Sequence, residues 1–325
     1  MKLTLSPSPH IHSGNSTSSI MWTVVVAMIP AWLVSVYYFG IASIMVTAVA
    51  ISASVFFEWA ITKYLLKQES TLMDGSAVIT GALLAFNLPS STPLHLIIIG
   101  ALVAMGIGKL SFGGLGQNPF NPALVGRVFL LISFPVEMTS WPVPKVLSMS
   151  LDAVTGATPL GVMSEGLRNG ETTSEIMSQL PSMWEMASGA IGGSIGEVSA
   201  IALVIGGIYM LIRKVITWHI PVSVLVSAGA LAGLLHLINP DLYAGASFHL
   251  LTGGMMLGAV FMATDMVTSP MSAKGQIFYG VGIGLLTIVI RIWGAYPEGV
   301  SFAILLMNAW TPLINRYMKP KRFGK

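Results

Sequence analysis

A long apolar run introduces the membrane-embedded part of the sequence: Ile20-Met-Trp-Thr-Val-Val-Val-Ala-Met-Ile-Pro30-Ala-Trp-Leu-Val-Ser-Val-Tyr-Tyr-Phe39. An α-helix of about 20 residues spans the roughly 30 Å hydrocarbon core of a bilayer, and this run has that length. It follows the polar stretch 6–19, and no small-residue cleavage signature comes after it. The run therefore predicts a retained transmembrane helix rather than a cleaved signal peptide.

The rest of the chain is equally apolar. Of its 325 residues, 54% are hydrophobic and only 9% are charged, and the mean hydropathy is +0.78. These values exclude a soluble globular protein and predict a polytopic membrane protein. The net charge of +3 does not indicate a nucleic-acid partner, because excess Lys and Arg in membrane proteins usually mark cytoplasmic loops. The chain contains no Cys, which excludes a Cys-ligated iron–sulfur cluster and disulfides.

Ten apolar windows are long enough to be transmembrane spans. They cover residues 20–39, 41–66, 72–88, 94–108, 121–137, 196–212, 220–238, 249–267, 275–293 and 300–318. Several are short or broken by Gly and Pro, and such breaks survive at membrane depth only where protein or water satisfies the freed backbone groups. The predicted fold class is an all-α integral membrane protein with about ten transmembrane helices.

Basic residues fall unevenly on the two sides of a ten-span topology. Thirteen of the 16 Lys and Arg residues lie on the side of the N terminus, whereas Lys145, Arg168 and Arg291 lie on the opposite side. This asymmetry follows the positive-inside rule. It predicts a multi-pass protein of the cell (inner) membrane with both termini in the cytoplasm, so that the long segment after the fifth span lies outside the cytoplasm.

That long segment divides the chain into two halves. The predicted parts are a cytoplasmic N-terminal segment 1–19, a five-helix half 20–137, an extracytoplasmic loop 138–195, a second five-helix half 196–318 and a cytoplasmic tail 319–325. The stretch 112–124 can be laid against 293–305, since both are Gly/Pro breaks before an apolar helix. An odd number of helices per half would invert the second half and put candidate sites at the interface. Chance similarity between Gly-rich stretches is the other explanation.

The most specific motif lies in the outer loop: Asp152-Ala-Val-Thr155-Gly156-Ala157-Thr158-Pro159. From its residues alone it is typical of a turn, because Gly permits unusual dihedral angles and Pro ends regular structure. In that interpretation Asp152 only stabilises the turn.

The motif also resembles the flavinylation motif, Asp-x-x-(Ser/Thr)-Gly-Ala-Thr, of membrane subunits of Rnf complexes and of the sodium-pumping NADH:quinone oxidoreductase. The resemblance covers nearly the whole chain. It includes Ser8-Pro-His-Ile-His12, Asp74-Gly-Ser-Ala-Val-Ile-Thr-Gly81, Phe112-Gly-Gly-Leu-Gly116, Asn121-Pro-Ala-Leu-Val-Gly-Arg127, Met262-Ala-Thr-Asp-Met-Val-Thr-Ser-Pro270 and Tyr296-Pro-Glu-Gly-Val-Ser-Phe-Ala-Ile-Leu-Leu-Met-Asn308. Together these stretches look like the RnfD family of Rnf ion-translocating electron-transport complexes. The similar membrane subunits of the quinone oxidoreductase generally have a longer N-terminal region.

The resemblance implies a cofactor and a reaction. A flavin transferase outside the cytoplasm would join the Thr158 hydroxyl to the phosphate of FMN, and Asp152, Thr155, Gly156 and Ala157 would form the recognised motif. With the other Rnf subunits, the chain would pass electrons between reduced ferredoxin and NAD⁺, coupled to Na⁺ or H⁺ translocation across the membrane lipid. The NAD site would lie in another subunit. A flavin suits a chain without Cys, since it needs no metal ligands.

A second candidate site lies in the break between the fourth and fifth spans, Gly113-Gly114-Leu-Gly116-Gln-Asn118-Pro-Phe-Asn121. Repeated Gly lets the backbone approach a ligand closely, and Asn amides offer donors and acceptors to a ring system. The resemblance implies a second, non-covalent flavin, riboflavin, on the cytoplasmic half, and we assign Asn118 and Asn121 to it. The alternative is a re-entrant turn that holds two helices together.

Four ionisable residues fall inside predicted spans, toward the cytoplasmic ends: Glu58, Asp74, Arg127 and Asp265. Ionisable groups are costly in a membrane, so these residues either bind Na⁺ or relay H⁺, or they snorkel and pair with one another. Structural pairing is the simpler expectation for each of them. Asp265, which Thr residues flank, is the best candidate for the path of Na⁺ or H⁺.

Two other functions stay open at this stage. Inverted halves with broken helices would suit a solute channel, and the family's fold is similar to that of urea transporters. A relative of the quinone-reducing enzyme's membrane subunit is the closer alternative, while a channel has no need of the Thr158 motif. The only His pair with short spacing is His10-x-His12, so no metal site is predicted.

Overall fold

The computed structural model describes residues 16–68, 72–147 and 155–319, and about 70% of it is helical, with only two short strands among the described residues. The His10-x-His12 pair, most of the predicted terminal segments and Asp152 lie outside the described residues. Five helices are long and apolar enough to cross a membrane: Thr17–Phe39, Ile41–Leu65, Leu94–Phe112, His219–Ile238 and Ala273–Trp293. The expectation of an all-helical membrane protein is confirmed at this level.

The first half of the chain contains five helices. They are α1 (Thr17–Phe39), α2 (Ile41–Ala60, continued by a π-helical turn at Ile61–Leu65), α3 (Ser76–Phe86), α4 (Leu94–Val103, continued by a π-helical turn at Ala104–Lys109 and a 3₁₀ turn at Leu110–Phe112) and α5 (Pro122–Ser133). The Ser16 hydroxyl caps α1 by accepting a hydrogen bond from the Ser19 amide. Gly40, at φ +60°, turns the chain directly into α2, a conformation that Gly adopts without strain.

The segment that follows α5 is folded rather than an open loop. It contains α6 (Pro135–Thr139), β1 (Trp141–Pro142), β2 (Thr155–Gly156), α7 (Pro159–Arg168), α8 (Thr173–Gln179) and α9 (Met183–Ser188). The two short strands are antiparallel and pair Trp141 with Gly156. We call residues 134–199 the outer segment.

The second half also combines long and short helices. It contains α10 (Ala200–Ile212), α11 (His219–Ile238), α12 (Ala246–Leu251), α13 (Met255–Leu257, continued by a π-helical turn at Gly258–Met262), α14 (Ala273–Trp293) and α15 (Val300–Tyr317). The predicted span 249–267 is therefore wrong as a single helix. It breaks at Gly253, whose φ of +62° interrupts the helical backbone.

Small residues let the membrane helices approach one another closely. A Cβ added at Gly81 in α3 would lie 2.7 Å from the carbonyl oxygen of Ala50 in α2. One added at Gly284 in α14 would lie 2.5 Å from the carbonyl oxygen of Val224 in α11. Such close approaches are typical of helix packing in membranes. The hydrophobic effect does not drive helices together in lipid, and small residues allow the close van der Waals contact that does.

The outer segment is attached to the ends of helices from both halves. The amide of Lys145 donates to the carbonyl of Tyr38 at the end of α1 at 2.8 Å. The amide of Thr173 donates to the carbonyl of Asp241, which follows α11, at 2.9 Å. The C-terminal ends of α1 and α11 therefore lie on the same face of the protein, beneath the outer segment.

The outer segment also has a small core of its own. This core joins α7, α8 and α9 to α12 and the turn before it, and it is separate from the main core of the membrane helices. Its buried members are Leu160, Met163, Ile176, Met186, Ile191, Ala244 and Phe248. The second half of the chain therefore completes the packing of the outer segment.

Candidate functional site

Thr158 is the N-cap of α7. Its Oγ1 accepts a hydrogen bond from the amide of Gly161 at 3.1 Å, and Pro159 occupies the first helical position. A Thr cap followed by Pro is a favourable helix start, because the cap satisfies a free amide and Pro has none to satisfy. Thr158 is partly exposed, while Thr155 and Ala157 are exposed. The hydroxyl is thus accessible, on a backbone that the helix start fixes in place.

A cavity of about 240 Å³ lies beside α7, and we call it the outer cavity. Its polar and aromatic lining residues are Ser164, Arg168, Tyr243, His249, Arg291 and Trp293. Leu160 at the start of α7 and Arg291 both lie close to Gly253, where an added Cβ would be 2.6 Å from Leu160 Cδ1 and 2.8 Å from Arg291 Nη2. Sequence reasoning did not identify this cavity, since its residues come from three distant stretches of the chain.

Arg291 connects three pieces of backbone at the outer cavity. Its Nη1 donates to the carbonyl of His249 at 2.6 Å and its Nη2 to that of Thr252 at 2.9 Å. Its Nε donates to the carbonyl of Glu298 at 3.1 Å. The guanidinium therefore satisfies carbonyls freed by the break after α12 and by the turn before α15, as buried backbone groups require.

A second cavity, on the opposite side of the helices from the outer segment, brings both remaining candidate sites together. Asn118, Asn121 and Asp265 line it with Ser76 and Lys109. We call it the inner cavity. The sequence predicts a flavin-binding role for the two Asn residues and an ion-path role for Asp265, which lies far from them in the chain. In the structure all three line the same cavity.

The two Asn side chains differ in how fully the protein uses them. Asn121 caps α5, with Oδ1 accepting from the Ala123 amide at 3.1 Å, and its Nδ2 donates to the carbonyl of Met262 at 3.3 Å. It therefore ties the two halves together, as the re-entrant-turn alternative expects. Asn118 donates from Nδ2 to the carbonyl of Phe120 at 3.0 Å, which leaves more of its amide for a ligand.

Asp265 and Asp74 bind local hydrogen-bond donors. Asp265 Oδ2 accepts from the Thr268 hydroxyl at 3.0 Å. Asp74 Oδ1 accepts from both the amide and the hydroxyl of Ser76, at 2.8 and 2.6 Å, and so stabilises the start of α3. Over the described ranges neither carboxylate has a basic side chain within ion-pair distance. Asp265 keeps the chemistry of an ion ligand, and its role stays a prediction.

Glu58 and Arg127 are both paired, as the structural alternative expects, but with residues outside the predicted four rather than with one another. Glu58 Oε1 lies 2.6 Å from Lys109 Nζ, and Arg127 Nη2 lies 3.1 Å from Glu298 Oε2. The sequence predicts neither partner: the charge count treats Lys109 as a residue of the cytoplasmic side, yet it is buried. The one feature of the sequence that could have indicated this pair is a lone Lys at the end of an apolar window, because such a Lys must either pair with an acidic group or reach water.

Comparison with known proteins agrees with the motifs. The model of the NQR2, RnfD, RnfE family matches residues 4–324. The chain belongs to this family. It is 45% identical to the D component of the Na(+)-translocating ferredoxin:NAD(+) oxidoreductase complex of Acetobacterium woodii, over 100% of this chain and 96% of that protein. It is 44% identical to the D component of the proton-translocating ferredoxin:NAD(+) oxidoreductase complex of Clostridium ljungdahlii, over 99% and 96% of the two chains.

The resemblance inferred from the motifs is therefore confirmed. A third relative, the D component of the ion-translocating oxidoreductase complex of Stutzerimonas stutzeri, is 39% identical over 96% of this chain and 93% of its own. These relatives are subunits of ion-translocating oxidoreductases. The chain has two cavities on opposite faces of its helices, one along α7, the helix that Thr158 caps, and one lined by Asp265.

Proposed function

We propose that this chain is the RnfD-type membrane subunit of an Rnf complex, which passes electrons between reduced ferredoxin and NAD⁺ and couples the transfer to Na⁺ or H⁺ translocation. Relatives with this role match it from end to end at 44% and 45% identity. One of the two is named for Na⁺ and the other for protons, so both ions stay in the proposal. The NAD site would belong to another subunit. The quinone-reducing branch of the family is the alternative.

FMN, joined through its phosphate to Thr158 Oγ1, would be the redox group of the outer side. The residues present fit it, because an anion bound to an N-cap oxygen lies where free amides and the helix dipole favour negative charge. Arg168 and Arg291 in the nearby outer cavity add positive charge. Bound FMN would supply one- or two-electron exchange, while the protein orients it and sets its surroundings. The accessible, capped hydroxyl of Thr158 is the observation that carries the proposal.

The polar lining of the inner cavity, whose volume is about 90 Å³, would hold a second, non-covalent flavin, riboflavin, by the edge of its ring. Asn118 offers a side-chain carbonyl, and Lys109, whose ammonium uses two of its three N–H groups on Glu58 and Ser76, offers one donor. Asp265 adds a carboxylate with remaining acceptor capacity. This mixture of donors and acceptors suits the polar edge of a ring that carries carbonyl, imide and ring-nitrogen groups. Asn121 would act mainly by holding the cavity wall, since its amide already bonds to Met262.

Ten membrane crossings in two inverted halves account for the arrangement of the helices. The stretches 81–93 and 258–270 align without a gap, with Gly-Ala at their starts and Pro at their ends. In each, a short helix ends and the backbone breaks. The two breaks meet where Asn87 Nδ2 approaches the sulfur of Met262 at 3.8 Å. Facing half-helices of this kind are typical of inverted repeats around a central site.

The charge asymmetry supports cytoplasmic termini even after buried residues are set aside. Lys109, Arg127 and Arg291 are buried, so they do not report on loops. Without them, eleven basic residues lie on the side of the N terminus and two on the side of the outer segment. This distribution still follows the positive-inside rule, with Thr158 outside the cytoplasm in the cell membrane.

Covalent flavin is tested by expressing the chain with its flavin transferase and viewing the denatured protein for in-gel fluorescence. The matched control is Thr172→Val, since Thr172 is also a helix N-cap of the outer segment but lies outside the motif. Wild type and the control should fluoresce, while Thr158→Val should be dark. The intact mass should show one FMN on wild type and none on Thr158→Val. Equal fluorescence in wild type and Thr158→Val would overturn the attachment site.

A further inference from the structure

We propose that the outer cavity receives the ring system of the flavin carried by Thr158, and that His249, Arg291 and Trp293 hold the ring there. The inference rests on the proposed attachment of FMN to Thr158. It adds the binding residues, none of which belongs to the attachment motif.

The cavity is lined by the helix that the tether residue caps, from Leu160, two residues after Thr158, onward. Leu160, Met163, Ser164, Leu167 and Arg168 line it, at spacings of three, four, seven and eight residues from the first. These positions form one face of α7, so the cavity extends along the helix that Thr158 caps. At about 240 Å³ it is far larger than a single water or ion needs. A group esterified to the cap oxygen therefore has a ready-made space next to it.

Unused hydrogen-bonding capacity faces this space. His249 lines the cavity and is only 5% exposed, and its Nδ1 has no hydrogen-bond partner within the described ranges. An orphaned buried nitrogen of this kind calls for a ligand or an ordered water. Arg291 has five N–H groups and directs three nitrogens to backbone carbonyls, so N–H groups remain on both of its terminal nitrogens. A flavin ring offers carbonyl and ring-nitrogen acceptors along one edge.

The mouth of the cavity is aromatic. The rings of Tyr243 and Trp293 lie 6.4 Å apart, and both line the cavity. Trp293 is 59% exposed, so the rim of the cavity offers a flat face at which a planar ring can stack. The guanidinium of Arg291 lies deeper. If the flavin ring enters past Trp293, its polar edge meets the positive charge of Arg291. That charge stabilises the reduced flavin, which is the more negative form, and so raises the reduction potential of the flavin.

The test compares His249→Leu and Trp293→Phe with matched controls at the opposite end of the bundle. His219 also has a buried Nδ1 without a partner in the described part of the chain, and Trp218 is 55% exposed. His219→Leu and Trp218→Phe therefore remove the same chemistry away from the outer cavity. His249→Gln is a second variant in case the Leu substitution disturbs folding. All chains are expressed at full length with the transferase, and Thr158→Val supplies the baseline of any non-covalent flavin.

Three readouts separate the outcomes. In-gel fluorescence of denatured protein should match wild type in every His and Trp variant, since attachment is unaffected. In native protein, Trp293→Phe should raise the covalent flavin's fluorescence severalfold by removing a stacking quencher, and both His249 variants should lower its reduction potential. The controls should match wild type. Unchanged native fluorescence and potential with intact labelling would overturn this inference alone. An unlabelled wild type would overturn the attachment proposal, and this inference with it.

Discussion

Lys109 and Glu58 form an ion pair inside the helical core, with 2.6 Å between Nζ and Oε1 and side chains only 2% and 1% exposed. Two π-helical turns adjoin the pair: one ends at Lys109, and the other begins three residues after Glu58. The ammonium also donates to the Ser76 hydroxyl at 2.7 Å. Both charges have left water, so each depends on the other for its stabilisation.

Breaking this pair on one side should be strongly destabilising. Lys109→Met and Glu58→Gln should each lower the free energy of unfolding, and a buried charge that has lost its partner typically costs about 3–5 kcal/mol. The double variant Glu58→Leu/Lys109→Met should recover most of the loss, because no charge remains buried. Denaturant titrations in detergent micelles measure these differences. Lys274→Met, at an exposed position of α14, is the control. Single variants as stable as this control would argue against the pair.

Replacing Gly284 with Ala should destabilise the packing of α14 on α11. The new Cβ would lie 2.5 Å from the carbonyl oxygen of Val224 and 2.9 Å from the amide nitrogen of Ala228, and overpacking typically costs about 1–3 kcal/mol. Gly233→Ala is the matched control, since the nearest atom to its Cβ would be Ala246 Cβ at 3.9 Å. That variant should be neutral or slightly stabilising, because Ala favours helix over Gly. Thermal melts with the same sign for both variants would contradict the packing.

Lowering the pH should destabilise α9 at pH values where the membrane helices are still fully folded. The Ser182 hydroxyl and amide donate to the Glu185 carboxylate at 2.7 and 2.8 Å, and these hydrogen bonds lower the pKa of Glu185. A lowered folded-state pKa gives stability that is present above the ordinary carboxyl value and is lost as the pH falls through the folded value. Amide exchange in α9, corrected for intrinsic rates, should show this loss in wild type.

Glu185→Gln should remove that pH dependence, because the amide does not titrate. Glu165→Gln, in the middle of α7, should keep it. Glu175 caps α8 in the same way, and hydrogen bonds from Thr172 lower its pKa. Its protonation should therefore loosen α8 as protonation of Glu185 loosens α9. An identical acid response in wild type and Glu185→Gln would show that the capping carboxylate is not responsible.

Single cysteines should report the sidedness of the membrane directly, because the chain has no Cys of its own. Ser178 in α8 and Ser111 in the 3₁₀ turn after α4 are both exposed and therefore accessible for labelling. Ser178→Cys should react with an impermeant maleimide in intact cells, and Ser111→Cys only after lysis. The reverse pattern would invert the proposed topology.

Asp265→Asn should abolish ion uptake during ferredoxin oxidation if its carboxylate lies on the ion path. The variant keeps the size of the side chain but loses the charge that attracts Na⁺ or H⁺. Asp241→Asn, on the side of the outer segment, is the control and should transport normally. Uptake at the wild-type rate in Asp265→Asn membranes would leave Asp265 a structural role, accepting hydrogen bonds from the Thr268 hydroxyl and the Val267 amide.

Local composition is sufficient to predict the membrane helices and insufficient to predict what lies between them. Apart from 249–267, each apolar window contains a helix, because a long apolar run is a local property. The break at Gly253 escapes prediction, since one Gly in such a run carries little weight. The partner of Lys109 lies 51 residues away in the chain, and no local pattern encodes such a contact.

The candidate sites divide in the same way. The motif singles out Thr158, and the Gly-rich spacing singles out Asn118, because both signals are contained in a few consecutive residues. Arg291 and His249 come together only when α12 and α14 pack side by side. Their meeting at the outer cavity is a product of the tertiary fold, which no short stretch of sequence specifies.

The small core of the outer segment sets an order on the maturation of the protein. Leu160 and Met163 pack with Ala244 and Phe248, which the ribosome makes some eighty residues later. In the proposed topology, α7 is exported before its packing partners are made, and its apolar face stays uncovered until the second half of the chain enters the membrane. Thr158 would be freest in that interval. The proposed flavin transferase would then have its best access to the nascent chain, before the last helices close the fold around Thr158.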